Sequence, residues 1–288
     1  MTITGVLRPA VAAAVLLGLA ACGERGTTAA PPPDTASQVP AAAEGLVLRV
    51  EYTGGFVTPT ALAGRLPLVS VYADGVVISE GPVAAIYPGP ALPNLQQQQI
   101  DRETVQDLVD HAIAAGVAET SHLGSPPVAD APSTRFTVVT TTGTYVREVY
   151  ALSESPTEGS GLSAEQEAAR SELGDFLAEV TGPTVSGGDS QPYAPTSVAA
   201  VVSPWVDPAD GLGTPEVAWP GPALPGEPTG GPPDVTCVTA TGDQAQALLD
   251  AAGAANAATP WVTPDGTRWS VTFRPLLPDE FTCADLGD

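Results

Sequence analysis

The chain has 288 residues, enough for one large domain or two small ones. It carries 33 Asp and Glu against ten cations, every one of them Arg, for a net charge of −23. Scattered and outnumbered cations exclude a nucleic-acid surface and adhesion to anionic lipid, both of which need clustered Lys or Arg. The absence of Lys also excludes Schiff-base lysines, Ser-Lys hydrolases and Walker-type phosphate loops.

The chain opens with one cation, Arg8, and an apolar run from Val11 to Ala21. That run is shorter than the ~20 residues needed to span a bilayer, and its charged start and small-residue end describe a secretory signal peptide. Its last residues, Leu19-Ala20-Ala21-Cys22-Gly23, resemble the lipobox of bacterial lipoproteins. The resemblance covers residues 1–23. It implies that Cys22 takes a diacylglyceryl group and becomes the new N-terminus, leaving the protein on the outer face of the cell membrane. An ordinary cleaved signal with an incidental cysteine is the alternative. A lipid with two acyl chains gives firm anchoring where one gives only marginal residence. The remaining 267 residues would carry a net −24, since Arg8 leaves with the signal. With 31 Pro, 30 Gly and no Lys, the composition is similar to that of uncharacterised lipoproteins of GC-rich actinobacteria.

Residues 22–44 hold nothing large and apolar to bury, so they read as a disordered tether. Its reach lies between roughly 25 Å as a flexible coil and roughly 70 Å if polyproline-like. Structure is expected from Leu46, where Leu46, Leu48, Val50 and Tyr52 alternate with Arg49 and Glu51 as a strand with one buried face. Asp74-Gly75 between Leu68–Ala73 and Val76–Ile78 signals a hairpin. After a Pro-rich loop, Asp101 caps a helix whose stripe is Val105, Leu108, Val109, Ala112 and Ile113, with Gly116 as its stop. A second hairpin runs from Arg135–Val139 through Gly143 to Tyr145–Tyr150. A second helix opens with the capping box Ser163-Ala164-Glu165-Gln166 and carries Ala169, Leu173, Phe176, Leu177 and Val180.

Residues 184–192 read as a linker. Beyond it come strands at Val198–Val202 and Glu216–Trp219, then Val235–Val238 leading into a helix with a capping box at Thr241-Gly242-Asp243-Gln244 and a stripe of Ala245, Leu248, Leu249 and Ala252. A last hairpin pairs Trp261-Val262 with Trp269–Phe273. The heptapeptide Tyr87-Pro88-Gly89-Pro90-Ala91-Leu92-Pro93 recurs as Trp219-Pro220-Gly221-Pro222-Ala223-Leu224-Pro225. Each copy precedes a helix and a hairpin with a Thr-x-x-Gly-Thr turn, which points to duplication of one unit. Chance similarity of Pro- and Gly-rich loops is the alternative.

With Cys22 assigned to lipid, Cys237 and Cys283 are expected to pair as a disulfide in an oxidising compartment. Two free thiols in a reactive or metal site are the alternative. The only histidines, His111 and His122, have Asp107, Asp110 and Glu119 nearby but match no metal-site spacing, and a surface role is expected. Asp207, Asp210 and Glu216 around Gly211 lack the EF-hand spacing for calcium. A Ser-His-Asp triad, whose members need not be close in sequence, stays open. Trp205, Trp219, Trp261 and Trp269 all lie in the second half and are expected to pack in its core, with a stacking surface for a glycan or peptide as the alternative.

The sequence therefore predicts an α+β fold of two β-rich subdomains with packed amphipathic helices, residues 45–183 and 193–288. It predicts a lipid-anchored envelope protein that binds an unknown partner or ligand, with no cofactor, metal or catalytic residue assigned. An envelope hydrolase with a spatially assembled site, or a calcium-binding protein, is the rival reading.

Overall fold

Strand β1 (Leu46–Gly54) sets the geometry of the first half, because strand alternation puts Leu48 and Val50 on one face and Arg49 and Glu51 on the other. The computed structural model describes residues 41–154, 159–182, 185, 189–209, 211, 213–232 and 234–286. The signal-like run, Cys22, most of the expected tether and part of the expected linker lie outside the described residues.

β1 pairs antiparallel with β2 (Val69–Tyr72) on one side and β5 (Pro132–Thr140) on the other. β2 turns through Asp74-Gly75 into β3 (Val76–Glu80). Only glycine fits that turn: Gly75 sits at φ +88° and a Cβ would lie 2.1 Å from the Ile100 carbonyl oxygen. With β4 (Leu95–Gln99), β6 (Gly143–Tyr150) and the two-residue β7 (Gln191–Pro192), the sheet has seven strands in the order β6-β5-β1-β2-β3-β4-β7. No alternation marks β4, with its four consecutive glutamines; its pairing with β3 along Val76–Glu80 forms it.

Two helices cover the Leu48–Val50 face. In α2 (Arg102–Ala114) the Asp101 carboxylate accepts from the Thr104 N–H at 2.7 Å, and Val105, Leu108, Val109 and Ala112 are buried. In α3 (Ala164–Val180) the Ser163–Gln166 capping box forms as expected, and Leu173, Phe176 and Val180 enter the same core as Phe136 and Val138. Arg170, outside the expected stripe, is also buried, donating to the carbonyls of Tyr150 and Ala151 at 2.9 and 2.7 Å.

The second sheet has six strands in the order β10-β11-β8-β13-β12-β9: β8 (Ser197–Pro204), β9 (Val217–Ala218), β10 (Glu227–Pro228), β11 (Thr236–Thr241), β12 (Trp261–Val262) and β13 (Arg268–Pro275). All its pairings are antiparallel except β12 with β9. One face packs against α4 (Gly242–Gly253) and an aromatic cluster in which Trp261 stands edge-on to Trp219 and Phe273, centroids 5.8 and 5.2 Å away. The expected capping box at Thr241 does not form: its side chain makes no cap hydrogen bond. Thr241 is still in the strand ladder opposite Ser197, and Gly242, at φ +55°, makes the turn into the helix.

The other face of the second sheet buries Ala199, Val201, Cys237 and Leu276, with Ala63 of the short helix α1 (Pro59–Ala63) and Cys283 against them. Cys237 and Cys283 form a disulfide, their Cα atoms 6.0 Å apart. It ties the C-terminal turn to β11. All of this belongs to one compact unit, Val39–Asp288. The architecture is thus α+β with two antiparallel-rich sheets.

The two heptapeptides converge. Ala91 and Leu92 of the first copy and Leu224 of the second pack against the same core, that of the second sheet. The first copy is fastened there through Pro90, bridged to Asn256, and the Ala257 N–H donating to the Gly89 carbonyl at 2.8 Å. The strands after them connect differently. In the first half the leading hairpin strand, β5, pairs with β1, whereas in the second the trailing one, β13, pairs with β8.

Replacing both Cys237 and Cys283 by Ser should cost about 2–4 kcal/mol of stability, from the lost constraint on a 46-residue separation. Urea unfolding of the double variant beside the oxidised protein measures it.

Candidate functional site

The face of β1 that carries Arg49 and Glu51 is largely covered. The segment following β13 crosses it, and a knot of ionised side chains forms at the crossing. Arg274, at the end of β13, donates through Nη2 to Glu280 at 2.8 Å, the two side chains being 2% and 3% exposed. Its remaining nitrogens donate to the carbonyls of Arg65 at 3.1 Å and Pro275 at 2.6 Å. The second oxygen of Glu280 accepts from the Leu277 N–H at 2.8 Å. Each nitrogen of the Arg274 guanidinium and each oxygen of Glu280 thereby has a partner, which offsets the cost of burying the pair.

Arg49 extends the knot to the first sheet. Its Nη2 lies 2.9 Å from Asp279 Oδ1 and its Nη1 3.7 Å from Glu280. Burial pulls the Arg49 guanidinium down, but Asp279 and Glu280 more than offset it and hold its pKa above the ordinary value. The Tyr72 hydroxyl donates to the same Asp279 oxygen at 2.7 Å, and burial followed by that bond pushes the phenol well above its usual range. The Tyr193 hydroxyl donates to the Leu276 carbonyl, and burial lifts its pKa to about 12. Glu51, burdened mainly by burial, also titrates above its ordinary value in spite of Arg49 and Arg135.

An open groove of about 650 Å³ lies against this knot. One wall is the incoming chain, Ala41–Gly45, held by the Ala42 N–H donating to Gln106 Oε1 at 3.0 Å and by bonds to the β5–β6 turn. The others are the β2–β3 turn with Ala73, Asp74 and Val76, the first turns of α2 with Arg102 and Val105, and Pro278-Asp279. The groove is largely apolar, and three carboxylates line it: Glu44, Asp74 and Asp279. No described residue donates a hydrogen bond to Asp279 Oδ2. The lining contains no Ser, Thr, Cys or His.

The residues singled out by sequence lie elsewhere. His111 is 56% exposed on α2, its Nδ1 2.8 Å from Glu179 of α3, and that hydrogen bond raises its pKa. The His122 Nδ1 accepts from the Gly124 N–H at 3.0 Å. Asp107 and Asp110 are on α2 with His111, and Glu119 follows it in the loop; Asp110 accepts from Gln106 Nε2 and Glu119 from Ser121. Asp207 and Glu216 border a second cavity of about 510 Å³, where Arg268 pairs with Glu216 and covers the Trp205 ring at 5.6 Å. Asp210 lies outside the described residues. Among the described residues no group of three or more His, Cys, Asp or Glu is placed to hold a metal ion. Trp219 and Trp261 are core residues, and Trp205 and Trp269 are half-buried.

Sequence reasoning missed Arg49, Tyr72, Arg274, Asp279 and Glu280. The available signal was Arg274, a charge inside the apolar run Val271–Leu277. One further surface feature stands out: Pro82-Val83-Ala84-Ala85-Ile86-Tyr87, in the β3–β4 loop, is exposed throughout. Compared with known proteins, the chain matches no family model, no curated protein and no solved structure.

Glu280→Ala should destabilise the protein by about 3–5 kcal/mol, because it strands the buried Arg274 guanidinium; urea unfolding reads this directly. Glu51 predicts a pH dependence. Its folded pKa is raised, so its contribution favours the fold below its ordinary 4.5 and fades as pH rises through the raised value. The stability of Glu51→Gln relative to the parent should therefore shift in favour of the variant between pH 4 and pH 7.

Proposed function

We propose that this chain is an exported, lipid-anchored binding protein of the bacterial cell envelope. The observation that carries the address is the ending of the first apolar run, Leu19-Ala20-Ala21-Cys22, at the position where a lipobox cysteine would stand. The Cys237–Cys283 disulfide supports it independently, since such bonds persist in oxidising compartments and are rare in the cytosol.

Two features support binding as the task. The groove beside the knot falls within the ~300–1,000 Å³ range of small-molecule sites, with an apolar lining and a few fixed polar groups. The exposed apolar stretch Pro82–Tyr87 is the kind of surface that soluble proteins reserve for contact. Neither feature brings a histidine beside a serine or cysteine, so a nucleophile–base pair has no place in this reading. The anchor would hold these surfaces within tether reach of the membrane, while the acidity of the chain opposes close adhesion to anionic headgroups.

Cys22→Ser should abolish lipidation and move the protein from the detergent phase to the aqueous phase in a Triton X-114 partition. Unchanged partition of that variant, or a mature chain with no fatty acid by mass spectrometry, would defeat the proposal.

A further inference from the structure

We propose that the groove beside the knot binds a small organic cation, a primary ammonium group carried on an apolar body. This rests on the reading of the chain as a binding protein and not on the anchor at Cys22.

The apolar half of the ligand is set by the walls. Ala43, Ala73, Val76 and Pro278 present methyl, methylene and backbone surface with no side-chain hydrogen-bonding group, so the body of the ligand gains by leaving water there. The head group is set by Asp279. Its Oδ1 is held by Arg49 and Tyr72, at 2.9 and 2.7 Å, which fixes the carboxylate, while Oδ2 takes no hydrogen bond from a described residue and the side chain remains 28% exposed. A carboxylate already oriented by two donors needs little reorganisation to accept an N–H, and a charged donor makes that bond shorter and stronger than a neutral one.

The sign of the charge follows from a balance around the groove. Within the knot Arg49 and Arg274 are matched by Asp279 and Glu280. What remains on the lining is Glu44 and Asp74 against Arg102, and Arg102 itself stands between Asp101 and Glu103 in sequence. The groove thus carries a net negative field and favours a cation. The opposing influence is local: Arg102, at the first turn of α2, would favour an anion there. A pair of ligands with one body and opposite heads separates the two.

The experiment is isothermal titration of the full chain with octylammonium, octanoate and octanol, each below its micelle concentration. Octylammonium should bind saturably at one site, with octanoate and octanol at least about tenfold weaker, equivalent to about 1.4 kcal/mol. Ala43→Trp, which fills the groove and leaves the knot untouched, should abolish the binding. Asp279→Asn should weaken it about tenfold, and Arg102→Ala should tighten it severalfold. Where Asp279→Asn lowers the melting temperature sharply, Ala43→Trp and Arg102→Ala decide the matter. Octanoate binding as tightly as octylammonium, octylammonium binding that survives Ala43→Trp, or no saturable heat from any probe overturns the proposal. None of these results bears on where Cys22→Ser partitions, so the ligand and the anchor fail separately.

Discussion

The ion pair between Arg274 and Glu280 is the constraint on which the junction between the sheets depends. Taking two charges out of water costs several kcal/mol each unless all their bonding groups are met. Here they are met by the chain's own backbone: the carbonyls of Arg65 and Pro275 and the N–H of Leu277. Those partners come from the segment before β2, from the end of β13 and from the residues just after it. The Arg65 carbonyl is the one partner from outside the segment 274–280, so the pair is completed where that segment lies beside the stretch leading into β2. Beside the pair, Asp279 lies against Arg49 and Tyr72 and gives the groove its third carboxylate. The disulfide at Cys283, a few residues on, holds the same segment to the second sheet. The strap is thus fixed at both ends by interactions of different chemistry, one ionic and one covalent.

This explains which parts of the fold were readable. Elements whose burial has a simple period announced themselves: β1 through Leu48 and Val50, α2 through Val105, Leu108, Val109 and Ala112, and α3 through its capping box. Turns that demand glycine did so as well, Asp74-Gly75 most clearly. The disulfide followed from cysteine arithmetic. What failed to show was everything that depends on a neighbour distant in sequence. β4 is a run of glutamines that becomes a strand because β3 offers it a ladder. Arg49 and Glu51 read as a solvent face because alternation reports that two faces differ, and says nothing of what covers the polar one. The cover comes from residues 230 positions later, in Asp279. The repeated heptapeptide was legible as a repeat, but not that both copies would feed one core.

A chain without lysine has only arginine to place inside, and arginine keeps its charge there while satisfying several acceptors in a fixed plane. Arg147 donates to the Glu119 carbonyl and to Ser121, Arg170 to the carbonyls ending β6, Arg65 to those of Tyr52 and Gly54, and Arg274 to two carbonyls and a carboxylate. These cations act as internal struts between segments. Positive charge withdrawn into the framework is unavailable to the surface, which leaves the outer field to the acidic side chains. The groove takes its sign from the same distribution: Arg49 holds one oxygen of Asp279 in the knot, while Glu44 and Asp74 on the rim pair with no arginine among the described residues. A fold that uses its few cations to hold itself together is left with a surface suited to receive them from a ligand.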